Sequence, residues 1–118
     1  MLIRHLKDCP EFTAGDGCAL RELLHAGKGK FAFRYSLAHA VVQPGQTTAR
    51  HALRTSEVYY ILEGRGRMRI GADSGEVAAG DAIDIPPDAE QCISNTGEGP
   101  LVFLCIVDPA WTKEDETV

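Results

Sequence analysis

The chain has 118 residues, a formal net charge of −5 and a pI near 5.3. This length is typical of one compact domain that buries a core without disulfides or metals. The acidic balance, with no cluster of Lys and Arg, argues against binding to nucleic acid or to an anionic membrane. No apolar run approaches the roughly 20 residues that span a bilayer, and Arg4 and Lys7 interrupt any signal-type segment. We therefore expect a cytoplasmic protein whose cysteines stay reduced.

The N-terminal quarter predicts short elements separated by turns. Residues 1–6 predict a first strand, ended by the turn-prone Asp8, Cys9 and Pro10. Residues 11–17 are expected to form a loop. Residues 18–25 are ambiguous, because their Ala, Leu, Arg and Glu favour helix but the segment is too short for a helical period to decide.

Residues 31–42 give the first clear strand pattern. Side chains alternate between the two faces of a strand, and the larger, more apolar ones share one face: Phe31, Phe33, Tyr35, Leu37, His39 and Val41. We expect that face to line the interior, with His39 pointing into it. Pro44 and Gly45 end the strand.

Residues 45–64 carry the polar groups of the predicted site. Gly45 and Gly64 bound a strand in which His51 and Leu53 share a face. Glu57 continues this face if the intervening residues keep the register. An imidazole and a carboxylate on one side of a strand can hold a metal ion or a small ligand.

The rest of the chain predicts further short strands with glycine and proline turns between them. They cover residues 65–70, 82–85, 91–95 and 101–107. The tail, residues 113–118, is polar and acidic, and we expect it to fray. Short strands with hardly any helical period indicate an all-β sandwich or barrel.

Two groups of residues resemble the two signatures of the cupin superfamily. In the first, Gly45, His51, Glu57 and Gly64 fall on the pattern, and Leu53 takes the place of a second histidine. This departure removes one nitrogen ligand from the site that the family pattern implies.

The second signature is also kept in part. Gly80, Pro86 and Asn95 fit it, whereas Asp88 replaces a glycine and Gln91 replaces a third histidine. The fold resemblance is therefore stronger than the resemblance of the metal site.

The resemblance implies one cupin domain over residues 1–118, folded as a jelly-roll β-barrel. Its core is expected at about residues 31–107, with a flexible acidic tail at 113–118. The resemblance also favours a strand over a helix at residues 18–25.

By the same resemblance, a divalent metal is expected in the barrel. The available ligands are His51, Glu57, Gln91 and His39, a set suited to Zn, Ni, Fe or Mn if His39 points inward. If His39 faces out, the other three bind a metal weakly, and the cavity holds water or an organic ligand. Five further residues are candidates for the substrate pocket: Phe33, Tyr35, Tyr59, Asp84 and Cys105.

Three classes of function remain open at this point. The first is a metal-dependent enzyme of dioxygenase, isomerase or lyase type, with Glu57 or a tyrosine as acid or base. The second is a non-catalytic module that binds a sugar or metabolite, favoured by Leu53 and Gln91. The third is a mainly structural dimer with a vestigial pocket. The resemblance implies a homodimer that binds a small molecule, without an organic cofactor, and Trp111 offers apolar surface for pairing.

Overall fold

The computed structural model describes residues 1–28 and 32–118, which form mostly strands. The strands are β1 (Phe12–Thr13), β2 (Ala19–His25), β3 (Ser36–Val42), β4 (Ala52–Leu53), β5 (Ser56–Glu63), β6 (Arg65–Ile70), β7 (Asp73–Ala78), β8 (Ala82–Ile85), β9 (Gln91–Asn95), β10 (Leu101–Asp108) and β11 (Glu116–Thr117). Short 3-10 helices occupy Leu6–Asp8 and Lys113–Asp115. Among the described residues, no helix is long and apolar enough to cross a bilayer.

The strands pair into antiparallel sheets. One sheet has six strands in the order β1-β2-β3-β10-β5-β8, and a second has three in the order β7-β6-β9. A third, two-stranded sheet pairs β11 with β4. The buried apolar cluster draws on both larger sheets, with Ile61 and Phe103 from the first and Met68 and Ile93 from the second. The hydrophobic core therefore lies between these two sheets, and the predicted all-β class is confirmed.

Side chains that alternate between the buried and the exposed face of each strand explain this core. On β10, Leu101, Phe103 and Cys105 are buried, while the residues between them are partly exposed. The ring of Phe103 packs against that of Tyr59 on β5, with a centroid distance of 4.5 Å. Burial of such apolar surface is the main stabilising contribution to a domain of this size.

Two positions of the cupin-like signatures have backbone conformations that explain them. Gly64 has φ 89°, and a Cβ there would lie 2.5 Å from the carbonyl oxygen of Pro100. Asp88, which replaces a glycine of the signature, also has a positive φ, of 66°. Aspartate tolerates this region better than most residues, so the turn survives the replacement.

Several predicted elements are confirmed, with shifts at their ends. Within residues 18–25 the resemblance favoured a strand, and Ala19–His25 form one; β6, β8 and β9 have the predicted bounds. The central stretch forms two strands, β4 and β5, with a bend between them. His51, Leu53 and Glu57 are all buried, so the predicted shared face persists across the bend.

The predicted interior face of β3 is wrong. Ser36, Ala40 and Val42 are buried, whereas Leu37 and His39 are half-buried on the opposite face. The smaller side chains face inward because they leave room for the aromatic core and for a cavity. Phe31, which belonged to the predicted face, lies outside the described residues.

Both predictions for the chain ends are wrong. Residues 1–5 form no strand, and Leu6–Asp8 are a 3-10 helix in which the Lys7 backbone N–H donates to Nδ1 of His5. The tail is not a frayed end, because β11 pairs with β4 and the carbonyl of Asp115 accepts a hydrogen bond from Arg54 N–H. Acidic composition alone did not indicate this pairing.

Candidate functional site

A cavity of about 590 Å³ opens beside β4 and β5. Its buried wall, here called the floor, consists of Asp16, Cys18, Ser36, His51, Leu53, Glu57, Tyr59, Cys105 and Val107. Its exposed rim includes Phe12, Lys28, Trp111, Lys113 and Val118. The volume suits a small organic molecule.

His51 is fixed on the floor by its own backbone. The backbone N–H of His51 donates to the backbone carbonyl of Gln91 at 3.1 Å. The backbone carbonyl of His51 accepts from the backbone N–H of Gln91 at 2.8 Å. The His51 Nδ1 atom lies 2.9 Å from the carbonyl oxygen of Ala49. Because a carbonyl only accepts, Nδ1 carries the hydrogen, and this bond assigns the lone pair of the neutral ring to Nε2.

The Nε2 atom of His51 is 3.9 Å from Oδ2 of Asp16. Asp16 precedes β2 in a turn, where its Oδ1 accepts a hydrogen bond from Cys18 N–H at 3.1 Å. Its carbonyl accepts from Ala49 N–H at 2.8 Å, which ties this turn to the segment before His51. Asp16 was not among the predicted site residues, because it lies in residues 11–17, which were predicted only as a loop.

Glu57 is the second carboxylate of the floor, with only 5% of its surface exposed. Its Oε1 accepts a hydrogen bond of 2.7 Å from Nε2 of Gln91. Burial raises the pKa of Glu57 to about 7, although the bond from Gln91 and the nearby His51 act in the opposite direction. Glu57 can therefore gain or lose a proton near neutral pH.

Gln91 lies behind Glu57 and is almost completely buried. Its amide nitrogen serves Glu57, while its Oε1 has no hydrogen-bond partner among the described residues. Gln91 therefore acts as a donor that orients the carboxylate.

Tyr59 and Cys105, two of the predicted pocket residues, line the cavity. Burial is the main cause that raises the pKa of each well above its ordinary value, and the carboxylate of Glu57 adds to it. Burial likewise raises the pKa of Cys18, with Asp16 contributing. These groups stay neutral at physiological pH, so the thiols have little nucleophilic character.

The structure does not bring the other predicted residues to the cavity. His39 lies on the outward face of β3 between Arg21 and Leu104, where burial, and then the charge of Arg21, lower its pKa. Phe33 and Tyr35 stack on each other with a centroid distance of 4.7 Å and are not among the cavity-lining residues.

Asp84 on β8 is exposed and pairs with Val58 on the outward side of β5. Side chains alternate between the two faces of a strand, so Asp84 points to the face opposite to that of Ile83 and Ile85. The prediction that Asp84 lines the pocket is therefore wrong.

The floor does not fit the transition-metal site that the family pattern implies. Leu53 places hydrocarbon where a second imidazole would stand, and the amide of Gln91 turns its nitrogen toward Glu57. Across residues 1–28 and 32–118, no three side chains of His, Cys, Asp or Glu are arranged to hold one metal ion. His51 and Glu57 remain on the floor as a polar pair that can form hydrogen bonds to a ligand in place of a metal.

Residues 38–107 match a protein-family model described as "Cupin domain". An uncharacterized protein of Methanocaldococcus jannaschii is 44% identical over 108 residues, which cover 91% of this chain and 86% of that protein.

Solved structures are similar over nearly the whole chain. A cupin 2 conserved barrel domain protein from Salinispora arenicola has a TM-score of 0.78 at 18% identity, covering 97% of this chain and 91% of that chain. A structure from Thermotoga maritima, described as a predicted oxalate decarboxylase, has a TM-score of 0.79 at 20% identity. The match covers 90% of this chain and 97% of that chain. At these identities the similarity establishes the fold alone.

Proposed function

This chain belongs to the cupin family, and from that premise we propose that it binds a small organic molecule in the cavity beside β4 and β5. The predicted jelly-roll fold of the cupin type is confirmed by the same family match and by the solved structures. Among cupins the fold does not determine the ligand, which is instead selected by the residues of the site.

One observation carries the proposal. Two buried side chains on the floor have open hydrogen-bonding capacity toward the cavity: Glu57 Oε2 accepts no hydrogen bond from the described residues, and Asp16 Oδ2 has only the 3.9 Å approach of His51. A ligand can supply hydrogen bonds to these oxygens, while Leu53 and Val107 offer apolar contact beside them.

Proton transfer is the chemistry that this floor best supports. Glu57, with its pKa raised to about 7, can accept or release a proton near neutral pH, and His51 on the same floor has a lone pair on Nε2 that can accept one. In this proposal, one of them removes a proton from the bound molecule and the other returns one, as an isomerase or lyase requires. The alternative is a binding module in which the same atoms only hold the ligand.

The direct test is to identify what the protein carries. Tag-free protein is purified, its small molecules are extracted, and mass spectrometry compares wild type with Ala38→Leu, which fills the cavity. Ala52→Leu, on β4 outside the lining, is the matched control. A compound present in wild type and Ala52→Leu but absent from Ala38→Leu supports the proposal. If wild type carries none, and a metabolite library gives no thermal stabilisation, the proposal is wrong.

Metal analysis of the same preparation tests the alternative of a Zn, Ni, Fe or Mn enzyme. Metal retained in wild type and lost in His51→Ala would favour that alternative despite the donor set. We expect less than one metal ion per chain in both wild type and His51→Ala.

We also propose that the chain forms a homodimer through the outer face of the six-stranded sheet. Tyr60 and Leu62 on β5 and Ile106 on the adjacent β10 are large apolar residues that are 40%, 45% and 39% exposed. Neighbouring exposed apolar side chains favour a protein interface. Light scattering of wild type should give a dimer and that of Leu62→Glu a monomer, while a monomeric wild type contradicts the proposal.

A further inference from the structure

We propose that the cavity selects a ligand with a protonated amine on an apolar body and rejects carboxylates and phosphates. This inference rests on the proposed small-molecule binding at the same cavity and specifies the class of ligand. Its basis is the combination of charge, hydrogen-bond acceptors and apolar lining on the floor.

The charge of the floor is negative. Asp16 and Glu57 are carboxylates, and His51 is the only basic side chain among the described floor residues. The lysines belong to the rim: Lys28 has 68% of its side chain exposed and pairs with Glu22 at 2.5 Å. Lys113 is also exposed. A cation bound beside Glu57 favours the ionised form of its carboxyl group, whose pKa is about 7, whereas an anion there is repelled by Asp16 and by ionised Glu57.

The floor also offers hydrogen-bond acceptors. Nε2 of His51, Oε2 of Glu57 and Oδ2 of Asp16 all lack a hydrogen bond from the described residues. A primary ammonium has three N–H donors and one positive charge. It can therefore donate to the free carboxylate oxygen of Asp16 or of Glu57 and compensate the charge of these desolvated groups.

Apolar side chains surround this polar end. Leu20, Leu53 and Val107 line the same cavity, and Phe12 and Trp111 stand at its rim. Such a lining favours an aliphatic or aromatic body over a sugar. The ligand class therefore differs from a dicarboxylate such as oxalate, which the description of the similar Thermotoga maritima structure names.

Three probes of similar size separate charge from shape: 2-phenylethylamine, 2-phenylethanol and 3-phenylpropanoate. Their affinities are measured by calorimetry and by fluorescence of Trp111, the single tryptophan, which lies at the rim. We expect the amine to bind about tenfold or more tightly than the alcohol, as a charge-assisted hydrogen bond predicts, and the carboxylate to bind more weakly than both.

Variants test whether the floor causes the selectivity. Asp16→Asn and Glu57→Gln should each weaken binding of the amine by about tenfold and leave binding of the alcohol unchanged. Glu90→Gln removes an exposed carboxylate paired with Arg50 and serves as the control. Circular dichroism establishes that each variant is folded.

The outcomes separate this inference from the proposed function. If the carboxylate binds as tightly as the amine, or if both floor variants keep the wild-type preference, the amine inference is overturned while binding in the cavity stands. Absence of binding by all three probes also overturns the inference, because the apolar amine is the class it names. The proposed function is then judged by the co-purified ligand alone.

Discussion

Nε2 of Gln91 donates a hydrogen bond of 2.7 Å to Oε1 of Glu57, and both side chains are buried. The bond joins the first residue of β9, which lies behind the floor of the cavity, to the second residue of β5, which is part of the floor. It orients the carboxylate, and it occupies one carboxylate oxygen while the other remains available to a ligand. Gln91 stands where the cupin signature has a histidine, so its role here is to position Glu57.

Replacing Gln91 with Met should destabilise the protein more at high pH than at low pH. At pH 8.5, above the pKa of Glu57, the ionised carboxylate would lose its buried donor, at a cost of about 1–3 kcal/mol. At pH 5.5 Glu57 is protonated, so the substitution leaves no buried charge without its donor and should cost less. Urea unfolding at both pH values measures this, and an equal cost at both would contradict the role assigned to Gln91.

Glu57→Gln should change how stability depends on pH. The folded-state pKa, about 7, exceeds the ordinary 4.5, so between these values the folded state binds more protons than the unfolded state. Stability from this group is therefore complete below about pH 4.5 and falls as pH rises through 7, by about 3 kcal/mol in all.

The variant lacks this ionisation, so its unfolding free energy should decline less than that of wild type between pH 5 and pH 8. Glu90→Gln, an exposed site, should follow the wild-type curve. Parallel curves for wild type and Glu57→Gln would show that Glu57 is not held in a desolvated site.

Leu53→His should create a metal site that the wild-type floor does not fit. Leu53 is buried on the floor beside His51, and the substitution restores the second imidazole of the cupin signature. With Glu57, the variant has two nitrogen ligands and a carboxylate, a set that binds Zn or Ni.

We expect about one Zn per chain after dialysis and a higher melting temperature with added Zn, by mass action. The double variant Leu53→His with His51→Ala is the control and should lose both effects. A folded Leu53→His protein that retains no metal would contradict the placement of these side chains on one floor.

Deletion of residues 113–118 should lower the unfolding free energy by about 2 kcal/mol. The tail contributes the β11–β4 pairing, and Glu116 Oε2 accepts a hydrogen bond of 2.5 Å from Nε1 of Trp111. Deletion of Val118 alone, an exposed residue beyond β11, is the control and should have little effect. Chemical denaturation compares them, and equal stability of both truncations with wild type would mean that the tail does not support β4.

The fold was largely predictable because its signals are local and repeated. Glycine and proline turns marked the ends of β6, β8 and β9, and the spacing of Gly45, His51, Glu57 and Gly64 indicated the family. The face of β3 was not predictable from side-chain size. Which face is inward depends on how much space the opposite sheet and the cavity leave, and that is a tertiary property.

The site was predictable only in part. The spacing indicated His51, Glu57 and Gln91, since they lie on consecutive parts of the family pattern. Asp16 approaches His51 through a turn far away in sequence, and no local pattern signals such a contact. The one available signal was the turn itself, an Asp followed by Gly17, whose φ is 95°.

An NMR titration of the Glu57 side-chain carboxyl carbon in the intact protein measures whether this group is desolvated on the floor of the cavity, with Glu57→Gln used to assign the signal. We expect a midpoint near pH 7. A midpoint at the ordinary glutamate value of 4.5 would contradict the desolvation of Glu57, because the carboxylate would then be solvated or paired with a cation.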